Sequence, residues 1–337
     1  MNIVTEGLIA CGNQVTVLAI RTSKNNIKDE EIDPEYRRRT SYRSVFIDTS
    51  VKLLPAFLNL FSSKSYNVIR FYSREFEETL ISLLIKENFD IVQLETLWVT
   101  PYVEAIRKNS RAKIVFRSHN VEYSIWERLA DLTYNPLKKS YLKLLASRLK
   151  KYEQCMLNKY DGIACITELD VLVFKKLGCK VPLTHVPFGI NLTEYQPDAS
   201  NTEVPSLFHI GSMDWMPNEE AIKWFLKNIW AKIQCNYPDL NLYLAGRNMP
   251  SWLLDLNMKN VVVLGEVQDS VAFMNSKQIM VVPLQSGGGM RVKIIEGMAL
   301  GKMIIATAIA AEGIAYRNNV NIRIADSEDE FEQAINH

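Results

Sequence analysis

The chain has almost no net charge: 39 Lys and Arg stand against 38 Asp and Glu, a balance of +1 over 337 residues. Without an excess of positive charge there is no electrostatic footprint for nucleic acid, so no nucleic-acid partner is expected. Long apolar runs are missing too. None reaches the roughly 18 residues that a spanning helix requires, and the opening MNIVTEGLIACGNQ has no basic stretch followed by an apolar one, as a secretory leader would. A cytoplasmic protein is expected. The five cysteines include no C-x-x-C pair, and the four histidines are scattered. Reduced thiols and no metal site are the expectation.

What is present is a 47% apolar, 23% charged composition, the balance of a globular protein. The length suggests two domains and a cleft between them. From Ser206 onward, short apolar runs alternate with helical patterns, the signature of parallel βαβ units. The runs are Leu207–Ile210, Leu242–Ala245, Val261–Leu264, Ile279–Leu284, Met303–Ala306 and Asn321–Ile324. Their near-continuous apolarity suits strands buried on both faces. Between the first two, PNEEAIKWFLKNIWAKI places Ile222, Phe225, Leu226, Ile229 and Ile233 at helical spacing, with Asn218 as the expected cap.

The first half reads the same way, with strands expected at Val15–Ile20, Ile91–Leu94, Lys113–Phe116, Gly162–Ile166 and Leu183–Pro187. A polar, Pro-containing stretch from Thr193 to Pro205 puts the domain boundary near Ser200, giving domains 1–199 and 200–337. In the first domain, PLKKSYLKLLASRLKKYEQCML reads as a long basic amphipathic helix with Leu137, Tyr141, Leu144, Leu145, Leu149, Tyr152 and Met156 on its apolar face. Such a helix suits a protein core or peripheral contact with an anionic membrane surface.

The strongest local signal is IMVVPLQSGGGMRVKIIEGMALGKMIIAT: strand, glycine turn, helix of about three turns, glycine stop, strand. Gly287, Gly288 and Gly289 let the backbone approach a ligand, and the N-terminus of the next helix attracts a phosphate. Arg291 and Lys293 stand at the start of that helix, where cations oppose the helix dipole unless an anion joins them. Glu296, on the same helix, can accept hydrogen bonds from both hydroxyls of a ribose. The residues alone leave a second reading open: tight packing at the turn, solvated cations and an ordinary helix carboxylate.

The segments SLFHIGSMDWMPNEEAIKWFLKNIW, LYLAGRNMPSWL and NVVVLGEVQDSVAFMNSKQIMVVPLQSGGGMRVKIIEGMALGKMIIATAIAAEG, with RSHNVEYSIWERLA and SRLKKYE in the first half, resemble the retaining glycosyltransferases grouped as glycosyl transferases group 1. The resemblance implies an α/β chain of GT-B fold, two Rossmann-like domains facing a cleft. The second domain would hold a nucleotide diphosphate sugar as co-substrate, and the first a glycan or lipid-linked acceptor, with no cofactor or metal ion.

Carried over by position, Glu296 would bind the ribose hydroxyls. Gly211 and Ser212 would lie near the diphosphate, Gly265, Glu266 and Val267 would read the base, and Arg247 would stand near the phosphates. His119 would contact the donor sugar, although without the resemblance it reads as a satisfied histidine at a strand end. The family has a second glutamate eight positions before Glu296, where this chain has Gly288. Arg291 and Lys293 are therefore expected to carry the electrostatic load. The segment VPFGINLTEY replaces a Pro-Asn-Gly-Val-Asp pattern with its turn retained. Against the family's pattern, this sequence lacks the opening strand and Gly-rich turn expected before the helix that begins at Asn2, and it stops at His337, short of the family's last helices.

Overall fold

The computed structural model describes residues 2–23 and 25–336. Two compact units divide the chain, Met1–Pro187 and Phe188–His337. In the first unit, β1 (Leu18–Arg21) pairs in parallel with β2 (Arg43–Phe46), while β3 (Ile91–Glu95), β4 (Lys113–Ser118), β5 (Gly162–Cys165) and β6 (Leu183–His185) form a separate parallel sheet in that order. Its core gathers Leu94, Ile114, Phe116, Ile163 and Cys165 against Leu149 and Phe174. The strand β2 is the one that periodicity does not reveal. Its four residues RSVF bury only Val45, and pairing with β1 makes it a strand.

The second unit is one six-stranded parallel sheet of β7 (Glu203–Ile210), β8 (Asn241–Ala245), β9 (Val261–Gly265), β10 (Lys277–Val282), β11 (Met303–Ala306) and β12 (Arg323–Ile324). The spatial order is β12-β11-β10-β7-β8-β9. Successive connections run one way from β7 and the other way from β10, so the order reverses between these two neighbours. Leu207, Phe208, Met280, Val281 and Val282 are wholly buried there, which explains their continuous apolarity. The helix Met216–Phe225 continues through a π turn, Leu226–Trp230, into Ala231–Asn236, and its predicted stripe of Ile222, Phe225, Leu226, Ile229 and Ile233 is buried.

Three sequence expectations change. Trp215, not Asn218, is the N-cap of that helix; Asn218 lies inside it, its side chain drawn inward by a hydrogen bond to the Ser212 carbonyl in the loop after β7. The units divide before Phe188 instead of near Ser200, because the intervening segment is tied to the second unit. Asn275 donates to the Gln196 carbonyl and Tyr195 donates to Glu296. The third change concerns the long helix Pro136–Met156, capped by Asn135. Its buried side chains are Leu142, Leu145, Ala146, Leu149, Glu153 and Met156, while Leu137, Tyr141 and Leu144 are exposed.

Glu153 explains the rotated face. Its carboxylate turns inward and accepts the backbone N–H groups of Glu122 (3.1 Å) and Tyr123 (2.9 Å), orphan donors at the start of the helix Glu122–Leu132. Amphipathic patterning cannot anticipate a carboxylate on a core face. Burial pushes the Glu153 carboxyl up to about 8. Burial likewise raises Glu122 to about 7, against a hydrogen bond from Asn120. Both lie above the unfolded carboxylate value of about 4.3, so the folded unit keeps protons that the unfolded chain releases. That stabilisation is full in acid and fades as pH rises through about 7 and about 8. Between pH 6 and 8 the Glu122 share of the loss should be about 1 kcal/mol. Glu122→Gln should therefore flatten the pH dependence of thermal unfolding over that range, and parallel profiles for variant and parent would contradict it.

Candidate functional site

Four of the predicted segments fall at the carboxyl ends of neighbouring strands β10, β7, β8 and β9. Gly211 and Ser212 follow β7, Gly246 and Arg247 follow β8, Gly265 ends β9 with Glu266 and Val267 behind it, and Gly287–Gly289 follow β10. The reversal of strand order lies between β7 and β10, where open α/β sheets form their ligand crevice. The sheet ladder runs on into this rim: Gly211 N–H donates to Ala245 (3.0 Å) and Gly246 N–H to Gly265 (2.7 Å).

Glycine is required where the loops crowd. A Cβ on Gly246, whose φ is +146°, would stand 1.8 Å from the Gly211 carbonyl oxygen. A Cβ on Gly211 would meet the Asn218 amide and the Lys293 ammonium, each at 2.8 Å, and one on Gly287 would meet the Trp215 ring at 2.9 Å. Gly297 is also needed, since its Cβ would press on Met280 at 2.9 Å. The helix after the turn can thus lie close upon β10.

Arg291 is the N-cap of the helix Val292–Ala299, which has about two turns where three were expected. Its buried guanidinium donates to the carbonyls of Gly288 and Gly289 and lies 5.3 Å from the centre of the Trp215 ring. Because each peptide unit is planar and trans, holding those carbonyls toward Arg291 turns the N–H groups of Gly289 and Met290 away from it. Arg291 therefore braces the turn with those N–H groups directed away from its guanidinium. Ser286 donates to Glu220 at 3.4 Å beside the same turn.

The ammonium of Lys293 is enclosed beneath the Gly211 turn. It donates to Asn218 Oδ1 (2.8 Å), the Ile210 carbonyl (3.0 Å) and His209 Nε2 (3.2 Å). His209 is wholly buried, and its Nδ1 donates to the Val281 carbonyl at 2.9 Å, which leaves Nε2 as the acceptor. Burial, then the Lys293 charge, holds the His209 pKa well below the usual imidazole range. Burial, then Arg291, brings Lys293 down to about 7. Asn218 also donates to the Ser212 carbonyl at 2.8 Å. Sequence reading missed His209 and the inward role of Asn218. For His209 the signal was a polar residue inside the apolar run Leu207–Ile210.

Glu296 accepts a hydrogen bond from the Tyr195 hydroxyl at 2.7 Å. Burial and the Glu296 carboxylate push the Tyr195 phenol up. Arg247 is exposed; its carbonyl accepts Met213 N–H, and Ser212 Oγ donates to Asp214 at 2.5 Å. His119 belongs to the other unit, just beyond β4. Its Nε2 lies 2.7 Å from Glu95 Oε2, and Arg117 pairs with the same oxygen at 3.3 Å. Burial raises the Glu95 carboxyl, but His119 and Arg117 together hold it below the usual range. Glu95, at the end of β3, was not singled out by its sequence context.

Residues 204–337 match the family described as Glycosyl transferases group 1. The second unit belongs to that family. Similar solved structures include sucrose-phosphate synthase from Thermosynechococcus elongatus, with 15% identity, a TM-score of 0.66, and 98% of this chain and 81% of that one covered. The E. coli trehalose-6-phosphate structure bound with UDP-2-fluoro glucose gives 13% identity, a TM-score of 0.58, and coverage of 99% and 86%. TarM matches at 14% identity and a TM-score of 0.56 over 77% of this chain, which spans 50% of TarM. These likenesses establish the GT-B fold. An uncharacterized 44.6 kDa protein in the cps region of Klebsiella pneumoniae is 22% identical over 271 residues, 76% of this chain and 67% of that protein.

Two glycines on this rim separate crowding from backbone conformation. Gly246→Ala should cost more than about 3 kcal/mol, because backbone must move. Gly265→Ala, with open space around its Cβ and φ of +70°, should cost about 1 to 2 kcal/mol. Chemical denaturation of the two variants checks the order, and equal losses would contradict the close approach of the β7 and β8 loops.

Proposed function

We propose that the protein is a retaining glycosyltransferase that moves a hexose from a nucleotide diphosphate sugar to a hydroxyl of a glycan or lipid-linked acceptor. The observation that carries this reading is the braced glycine turn beside an enclosed ammonium, at the point where the strand order reverses. The N–H groups of Gly289 and Met290, with the start of the helix behind them, would meet the diphosphate. Lys293 would act on it through the Gly211–Ser212 turn, its own protons being held by Asn218, Ile210 and His209. Fixed donors of this kind stabilise charge where it develops on the leaving group.

Glu296 would take the two ribose hydroxyls, with Tyr195 aligning its carboxylate. Gly265 to Val267 would meet the base, and Arg247 the phosphates. His119, oriented by Glu95, would contact the transferred sugar. The role first assigned to Arg291 shifts from direct contact to bracing, because its guanidinium already holds Gly288 and Gly289. A cytoplasmic site in polysaccharide assembly fits this chemistry. A sugar-nucleotide-binding protein without turnover is the alternative, favoured by Gly288 standing where the family's supporting glutamate would be.

Thermal shift with UDP-, GDP- and ADP-sugars, followed by nucleotide release in the presence of glycan and lipid acceptors, separates these readings. Stabilisation by one nucleotide class with release is expected. Stabilisation without release selects the binding protein, and no stabilisation by any member refutes the donor site. Glu296→Ala should weaken nucleotide-sugar binding by about 1.5 to 3 kcal/mol; unchanged affinity in calorimetry would remove the ribose role.

The enclosed ammonium adds a pH dependence. Above about pH 7 the free protein loses the Lys293 proton, and a bound dianion must restore it. Affinity for a sugar diphosphate should therefore fall as pH rises from 7 toward 9, by up to about tenfold per unit. Lys293→Met should bind weakly with little slope. A slope that survives the substitution would assign the effect to another group.

A further inference from the structure

The first unit carries two exposed apolar stripes that meet at one arginine. On the helix Pro136–Met156, Leu137, Tyr141 and Leu144 recur at spacings that put them on one side with Arg148. Leu137 is 82% exposed. Arg148 donates through one nitrogen to the Asn59 carbonyl (2.8 Å) and side chain (3.1 Å), and through the other to the Leu60 carbonyl (2.8 Å). The helix Leu53–Asn59 therefore ends against that stripe. With Phe61 just beyond its end, it presents an apolar side outward: Leu54 is 68%, Phe57 57%, Leu58 58% and Phe61 82% exposed. The rings of Phe57 and Phe61 touch edge to face at 5.7 Å. Side chains that size are normally scattered singly over a surface, whereas contiguous groups mark contact sites.

Charge identifies the occupant. Neither residues 49–72 nor residues 132–152, which carry the two stripes, contain a single Asp or Glu, while they hold Lys52, Lys64, Arg70 and six further cations from Lys138 to Lys151. Some are engaged: Lys52 pairs with Asp48, Lys143 with Asp131 and Lys150 with Glu127. Among the described residues Lys64, Lys138 and Lys151 form no ion pair, and all three are exposed. Two segments that contribute no acid of their own, with outward aromatic and aliphatic side chains and exposed cations beside them, complement anionic lipid headgroups over an acyl boundary.

We infer that this surface docks the first unit on an anionic bilayer, with Leu54, Phe57, Phe61 and Leu137 entering the interface and Lys64, Lys138 and Lys151 meeting headgroups. Among the described residues no helix is long and apolar enough to cross a membrane, so the contact is peripheral. The inference is independent of the donor reading, because the residues assigned to the donor, His119 and those of the second unit, all lie outside residues 49–72 and 132–152.

Sedimentation of the full chain with vesicles tests it. Vesicles of phosphatidylcholine with phosphatidylglycerol should bring the protein down, phosphatidylcholine alone should not, and added salt should weaken the association. The double variant Leu54→Ser, Phe61→Ser should lose about tenfold or more in partition, and Lys64→Gln, Lys138→Gln and Lys151→Gln about fivefold each. All five positions are exposed, so thermal unfolding and nucleotide-sugar stabilisation should match the parent, separating lost docking from lost folding. No sedimentation with anionic vesicles, or sedimentation indifferent to both sets of substitutions, overturns the inference. So does a concentration-dependent dimer in light scattering that Leu54→Ser, Phe61→Ser abolishes, which would make a second copy the occupant.

Discussion

The enclosed ammonium of Lys293 ties the second unit together at its most crowded point. A single charged group there joins the helix after β10 to His209 and Ile210 on β7 and to Asn218 on the next helix. A charge taken out of water requires polar partners on every side, and each partner in turn constrains its own segment. His209 is anchored to the Val281 carbonyl. Asn218 is anchored to the Ser212 carbonyl. Gly211 must lack a side chain because the ammonium and the amide occupy the space where one would be. The geometry of the loop after β7 and of the turn after β10 thus follows from the same buried group.

Bracing from Arg291 acts on the other side of that turn. Sequence context presents Arg291 and Lys293 as two cations near the front of a helix, equivalent apart from position. Their surroundings make them different. Arg291 reaches two successive carbonyls through one guanidinium nitrogen and lies near an indole face, whereas Lys293 is a point charge divided among three acceptors. One shapes the backbone, and the other sets the local potential.

Much of the parallel-sheet architecture was legible, because strands buried on both faces are written as unbroken apolar runs; Met303–Ala306 is the same in sequence and structure. The glycine rim was legible as well, since close backbone approaches leave no alternative residue. What escaped has a common physical cause. The strand β2, the inward carboxylate of Glu153 and the buried His209 owe their states to partners distant in sequence. Asn218 looked like a cap because local chemistry favours it there, but its side chain is taken by the Ser212 carbonyl and, from far along the chain, by the Lys293 ammonium. Leu137, Tyr141 and Leu144 were likewise grouped on one apolar face with Leu145, Leu149 and Met156, as periodicity locates an apolar side without saying what covers it.

Strand order in the second unit also governs how the site can come into being. The chain makes β7 first, yet its neighbour β10 follows only after β8 and β9, with Leu207 meeting Ile279. Until Lys277–Val282 has emerged and paired, one edge of β7 stays open and its apolar side chains lack half their cover. Pairings of such large sequence separation form slowly and leave interim surfaces prone to aggregation. The crevice between β7 and β10 is therefore assembled in the same event that closes the sheet, so the unit acquires its rim and its core together.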